Sequence, residues 1–378
     1  MKILFTIGVF LAYFLCILLL SKKDKKLSDK LLAVWMFIIG TNLLDYYLYD
    51  SGLWINHTFL IGLGAGIPFL HGIMLYLYVK FSLSTDLTLN KKDSIHFLPF
   101  SVYYLAISPF FFFNSNQKLL ELSNETSYFD FVNAIALIGF CISGMVYSII
   151  SFRLLMKEYQ VIKQNFSYQE AINHNWLKYC VVGLFVIFIA VITVLILQNI
   201  FKFRASFNLE FIFYSFVIVY IFFIGFCGIH YRGLFNNPEP REILELDNPF
   251  EEYQKTGLKQ EEAAVLHEKL LTLMADKKPY LEQRLTLSEL SEMLDISLHH
   301  LSQIINQYEN KNFYDFINCY RVEEFKSRVI NPKYDSYSLL GIALDSGFNS
   351  KSTFNQVFKK ATGETPSGYK KRIFSKTV

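Results

Sequence analysis

The stretch Ser338-Leu339-Leu340-Gly341-Ile342-Ala343-Leu344-Asp345-Ser346-Gly347-Phe348 reads as a short helix and its stop. Gly347 suits the left-handed residue that ends a helix. Asn349 or Ser350 then caps a second helix, in which Phe354 and Phe358 stand four residues apart and point to one core. Lys351, Ser352, Asn355, Gln356 and Lys359 fall elsewhere on its surface. Gly363 ends that helix. Thr365-Pro366 opens another, with Thr as cap and Pro at the first helical position. Lys370, Lys371 and Arg372 follow as a basic cluster, and residues 338–378 carry seven Lys/Arg against two acidic residues.

A second segment upstream has the same plan. Thr286 and Glu289 have the spacing of a capping box, and Leu287, Leu290 and Leu294 line one helix face. Asp295-Ile296 make the turn, and Ser297 caps a helix from Leu298 to about Gln307. Leu301, Ile304 and Ile305 face inward there, which leaves His299, Ser302, Gln303 and Asn306 outward. Two helices, a tight turn and a polar outer face read as a helix-turn-helix unit near 286–307, with its counterpart near 338–360. Between them, Asn312 to Val329 reads as one long helix with Phe313, Phe316, Ile317, Tyr320, Phe325 and Val329 on its apolar face, stopped by Asn331-Pro332. Ahead of both, Leu266, Leu270, Leu273 and Met274 mark an amphipathic helix near 262–275.

Residues ~262–375 resemble the AraC/XylS family of bacterial transcription regulators. The likeness rests on Tyr320-Arg321-Val322 and on Ile342-Ala343, Gly347-Phe348, Ser350, Ser352, Phe354, Phe358-Lys359-Lys360, Gly363, Thr365-Pro366 and Tyr369. Lys370 departs from the Arg common there, which keeps the charge but loses the bidentate fork. The resemblance implies a homeodomain-like, all-helical domain whose two second helices enter successive major grooves of double-stranded DNA. By position, His299, Ser302 and Gln303 in the first unit and Lys351, Ser352, Asn355 and Gln356 in the second would face base edges. Lys359, Lys360, Lys370 and Lys371 would meet phosphates, which position a protein without reading sequence.

The first ~230 of the 378 residues are of another kind. Seven apolar runs, about 3–20, 31–49, 58–79, 95–113, 129–152, 177–198 and 209–230, approach the ~20 residues that cross a bilayer. Lys22-Lys23-Asp24-Lys25-Lys26 after the first is a stop-transfer pattern, with no small-residue cleavage site. The odd loops and their flanks carry Lys22, Lys23, Lys25, Lys26, Lys30, Lys80, Lys91, Lys92, Arg153, Lys157, Lys163 and Lys178. The N-terminus and even loops carry only Lys2, Lys118, Lys202 and Arg204. Positive-inside bias therefore predicts an outside N-terminus and a cytoplasmic chain after Tyr231, as in the inner membrane of a bacterium. Inside the runs, Asp45 and His71 are candidate ligand or signal groups, because ionisable side chains in a bilayer are costly. Tyr46, Tyr47, Tyr49 and Trp54 read as an interfacial aromatic belt.

The chain thus reads as all-α: a seven-transmembrane bundle over 1–231, an acidic cytoplasmic linker over 232–261, and a DNA-binding domain over 262–378. The five cysteines include no CxxC and no zinc spacing, and HExxH and GxSxG are absent from the sequence. No enzyme activity, cofactor or metal is expected. The expected function is a membrane-integrated transcription regulator, governed by a small or lipidic signal at the bundle. Two units per chain allow four groove contacts in a homodimer. The alternative is a transporter or lipid-modifying enzyme with a fused DNA-binding domain.

Overall fold

The structure is a computed structural model that describes residues 2–23, 25–83, 88–123, 127–168, 175–199, 201, 210–230 and 260–375. Among these residues the chain is helical, with one isolated antiparallel bridge, Phe166 to Thr286. Most of the acidic linker read at 232–261 lies outside the described residues. The chain divides into two compact units. One comprises Met1–Met156 with His174–Glu242, the other Lys157–Asn173 with Ile243–Val378.

The first unit holds α1 (Lys2–Ser21), α2 (Leu27–Asp50), α3 (Pro68–Leu83), α4 (Leu98–Ile107), α5 (Ser115–Ser123), most of α6 (Tyr128–Asn165), α7 (Asn175–Asn199) and α8 (Glu210–His230). Lys22 and Lys26 are tied to α2 by Asp29, which takes a 3.0 Å ion pair from Lys22 and a 2.9 Å bond from the Lys26 amide. Helix α1 buries Phe5, Ala12, Leu15 and Leu19 while Ile3, Phe10 and Ile17 stay exposed. An apolar surface on both faces is what a helix in lipid carries. The buried face meets a core built on Trp35, Met36 and Leu43 of α2, Leu77 of α3, Leu184 and Phe188 of α7, and Ile221 of α8.

Among the described residues, five helical stretches are long and apolar enough to cross a membrane: Ile3–Ser21, Leu27–Asp50, Lys91–Phe112, Tyr128–Asn165 and Trp176–Gln198. The run read at 58–79 is not one helix. Residues 58–60 form a 3-10 turn, Gly62 takes φ +89°, and α3 begins only at Pro68. A left-handed glycine breaks the helix, and a proline suits the first turn of the next. Helix α3 has 16 residues, or about 24 Å. The run at 95–113 is likewise composite: 3-10 turns over Lys91–Phe97 and Ser108–Phe112 flank α4, with Pro99 and Pro109 at the junctions. Helix α6, by contrast, outruns its expected end near 152 and continues to Asn165.

The second unit holds α9 (Gln260–Asp276), α10 (Leu287–Leu294), α11 (Leu298–Glu309), α12 (Phe313–Val329), α13 (Leu339–Asp345), α14 (Lys351–Thr362) and α15 (Pro366–Ser375). It has two cores. Leu270 and Met274 of α9, Leu287 and Leu290 of α10, and Leu301, Ile304 and Ile305 of α11 form the first. Ile342 and Ala343 of α13, with Phe348, Phe354 and Phe358, form the second. Helix α12 serves both, giving Phe313, Phe316 and Ile317 to one and Val322, Phe325 and Val329 to the other.

Candidate nucleic-acid interface

Each helix pair is set by local caps. Thr286 accepts from the Glu289 amide while Glu289 accepts from the Thr286 amide at 2.7 Å, which closes the capping box on α10. Asp295 ends α10 in the left-handed region, and Ser297 caps α11 by accepting from the His300 amide. In the second pair Ser338 caps α13, Gly347 turns at φ +93°, and Ser350, rather than Asn349, caps α14. Gly363 ends α14 at φ +79°.

The joint between the pairs centres on Arg321 of α12, which is 1% exposed. Its Nε donates to the Tyr280 carbonyl at 2.8 Å and its Nη2 to the Glu282 carbonyl at 2.6 Å. Burial brings the guanidinium down to about 10, still charged at neutral pH. Gly347 of the second pair packs onto this joint: a Cβ there would collide with the Tyr280 carbonyl and come 3.0 Å from Arg321 Nε. The sequence reading used Arg321 only as part of a family pattern. A charge four residues from both Ile317 and Phe325, on the apolar face of the helix, was the signal for its structural role.

Ion pairs flank the joint. Glu324 takes Arg328 at 2.8 Å and Lys278 at 3.0 Å. Burial pushes its carboxyl up, but hydrogen bonds from Arg328 and Lys278 outweigh this and hold it below the usual range. Glu309 accepts from His267 at 2.9 Å and pairs with Lys311. Burial again acts upward, and those two partners bring the group below its ordinary value.

The expected base-facing residues divide. Lys351, Ser352, Asn355 and Gln356 are exposed along α14. On α11, His299 and Gln303 are half-buried. Ser302 is only 4% exposed, so the outward placement read for it is corrected. It shares a helix face with Leu298 and with buried Ile305, and that face turns inward. Of the expected phosphate contacts, Lys359 and Lys371 are exposed. Lys360 pairs with Asp315 at 2.9 Å, and Lys370 lies over the Phe374 ring.

In the first unit Asp45 and His71 are not joined in one site. The Asp45 carboxylate lies against Gly64. His71 lines a cavity of about 230 Å³ with Asn42, Phe140, Phe188, Gln198 and Tyr214. Tyr46 departs from the expected belt: it is 6% exposed, its ring centroid 3.9 Å from that of Tyr214. Tyr49 and Trp54 do pack together, edge to face at 5.4 Å. Among the described residues no cluster of three or more His, Cys, Asp or Glu could hold a metal ion.

Two capped helix pairs on a shared helix define a module of the helix-turn-helix class, and residues 290–372 match the family described as a helix-turn-helix domain. Over 91 residues the chain is 34% identical to an uncharacterized HTH-type transcriptional regulator of Staphylococcus aureus strain COL, and likewise to one of strain MSSA476. The match takes in 24% of this chain and spans 12% of the length of each relative. No solved structure matches the chain.

Proposed function

We propose that this chain is a membrane-integrated transcription regulator, with seven spans in the inner membrane of a bacterium and a cytoplasmic DNA-binding domain of the AraC type. The observation that carries the reading is the pairing of α11 and α14 on one rigid linking helix, each preceded by a short capped helix. In this reading 286–307 and 338–360 are the two helix-turn-helix units, set in successive major grooves. Lys351, Ser352, Asn355 and Gln356, with His299 and Gln303, read bases. Lys359, Lys360, Lys370 and Lys371 hold the backbone. A homodimer doubles the contacts.

The membrane unit supplies control. Among the described residues its cavity is lined by no Asp, Glu, Lys or Arg, which favours a neutral, membrane-soluble signal beside His71; Asp45 is a second signal group. The apolar helices of 1–231 and the positive-inside bias support the topology. In vitro selection from random duplex DNA, with the full chain in lipid nanodiscs, tests the reading. Enrichment of one motif, lost when His299, Gln303, Lys351 and Gln356 are all replaced by Ala, is expected. A full chain that enriches nothing would sink it.

A further inference from the structure

The second unit includes a segment far away in sequence. Helix α6 runs without a break from Tyr128 to Asn165, 38 residues or about 57 Å, well beyond the ~30 Å of a hydrocarbon core. Its last turns and the residues after it, 157–168, pack in the same compact unit as the helix-turn-helix domain. Phe166 forms an antiparallel bridge with Thr286, the residue that caps α10. Ser167 is fully buried. Its amide donates to the Leu285 carbonyl at 3.2 Å and its hydroxyl to the same oxygen at 2.7 Å.

The other side of Ser167 is held by α12. The Ser167 carbonyl accepts from Arg321 Nη1 at 2.9 Å and from Asn318 Nδ2 at 3.1 Å, and its hydroxyl accepts from Arg321 Nη2 at 3.0 Å. Lys163, one turn earlier, lies over the Tyr314 ring of α12. Arg321 and Asn318 are each 1% exposed. Without Ser167, Nη1 would keep only the 3.3 Å contact to Asn318 Oδ1. A buried charged donor without its acceptor is costly, so these bonds favour the docked arm.

We propose that residues 157–168 are a docking arm, through which the membrane unit acts on the DNA-binding domain. The arm is the covalent continuation of α6, and its receptor is the Arg321–Asn318 notch on the helix that joins the two DNA-reading units. A rotation or shift of α6 is delivered to α12 itself, and not through the 231–259 connector. The docked arm is the DNA-binding state. The inference rests on the proposed membrane and DNA-binding reading and adds the route by which the two are coupled.

Two measurements on the full chain test it. In a Cys319→Ser background, Phe166→Cys with Thr286→Cys should form a disulfide under mild oxidation in membranes, because residues facing across an antiparallel bridge sit about 4.5–5.5 Å apart at Cα. No crosslink would overturn the docking. Next, one Ala is inserted in α6 between residues 156 and 157, which turns the arm by about 100° relative to the preceding helix. The expected result is about tenfold weaker binding to the selected DNA motif. The same Ala inserted between residues 245 and 246 should leave affinity within about twofold, because the proposed route runs through α6 and α12 and not through that segment. Equal effects from the two insertions would overturn the arm as the route while leaving DNA binding intact. Full chain that selects no motif without any insertion would overturn the underlying reading, and the arm with it.

Discussion

Gly347 sits against Arg321 so closely that a Cβ at 347 would be 3.0 Å from the guanidinium Nε, with the Tyr280 carbonyl nearer still. The second helix pair is thereby pressed onto the residue that organises the first. The φ of +93° at Gly347 adds a conformational penalty for any other residue. Gly347→Ala should destabilise the C-terminal domain by about 2–4 kcal/mol, from backbone strain and overpacking together. Pulse proteolysis of the full chain is the suitable probe, because the three tryptophans, Trp35, Trp54 and Trp176, all lie in the first unit. Unchanged resistance would mean that the joint yields.

The second core depends on phenylalanines packed tilted and edge to face. Phe325 of α12 lies 4.6 Å from Phe354 and 5.2 Å from Phe358, ring centroid to centroid. Phe358→Ala should cost about 3–5 kcal/mol. It should abolish binding to the selected motif while leaving membrane insertion intact. Carbonate extraction and a DNA-binding assay on the same membranes check both halves.

The acid limb of stability follows from Glu309 and Glu324. Both carboxyls are held below their ordinary values in the folded domain. A depressed carboxyl stabilises above its unfolded pKa, and that stability is lost as pH falls through the folded value. Resistance to proteolysis should therefore be level from neutrality down to about pH 5 and fall below about 4.3. Glu324→Gln should lower the plateau and flatten the fall. An unaltered acid limb in a Glu309→Gln, Glu324→Gln double variant would assign it to other groups.

In the first unit, a Cβ on Gly144 would run into the Phe188 ring. Gly144→Ala should displace that ring and destabilise the unit by about 1–3 kcal/mol. Replacing Phe188 with Leu in the same chain should recover part of the loss. Tryptophan fluorescence during thermal unfolding in nanodiscs reads this unit alone. Absence of rescue would place the strain elsewhere.

The caps were the most legible part of the sequence. Thr286 with Glu289, Ser297, Gly347 and Gly363 act through residues within a few positions of themselves, so spacing alone predicts their geometry. Ser302 misled because a helix stripe is broad. Leu301, Ile304 and Ile305 define an inward direction that also takes in the neighbouring hydroxyl. The apolar run at 58–79 misled because hydropathy does not register Gly62 turning left-handed. Tyr46 looked interfacial by composition, yet it packs on Tyr214 of α8, a partner that spacing along α2 does not disclose. The grip of Arg321 on Ser167 was beyond any local reading, since the two are 154 residues apart in the chain.

If α14 reads bases, side chains on it should separate by chemistry. Gln356→Ala should relax discrimination at one position by about 1–3 kcal/mol. Lys359→Ala or Lys371→Ala should weaken all sequences alike and reduce the salt dependence by about one counterion each. Affinity measured at three salt concentrations on matched and mismatched duplexes separates the two classes. An equal loss on every duplex for all three variants would remove the base-reading role.

The most direct test of the central claim is chromatin immunoprecipitation of the tagged full-length chain from cells, paired with fractionation of the same culture. The account predicts discrete peaks sharing one motif, from a protein found wholly in the membrane fraction, with the peaks lost when His299, Gln303, Lys351 and Gln356 are replaced by Ala. Peaks that persist in that variant, or a membrane protein that enriches no chromosomal site, would contradict it.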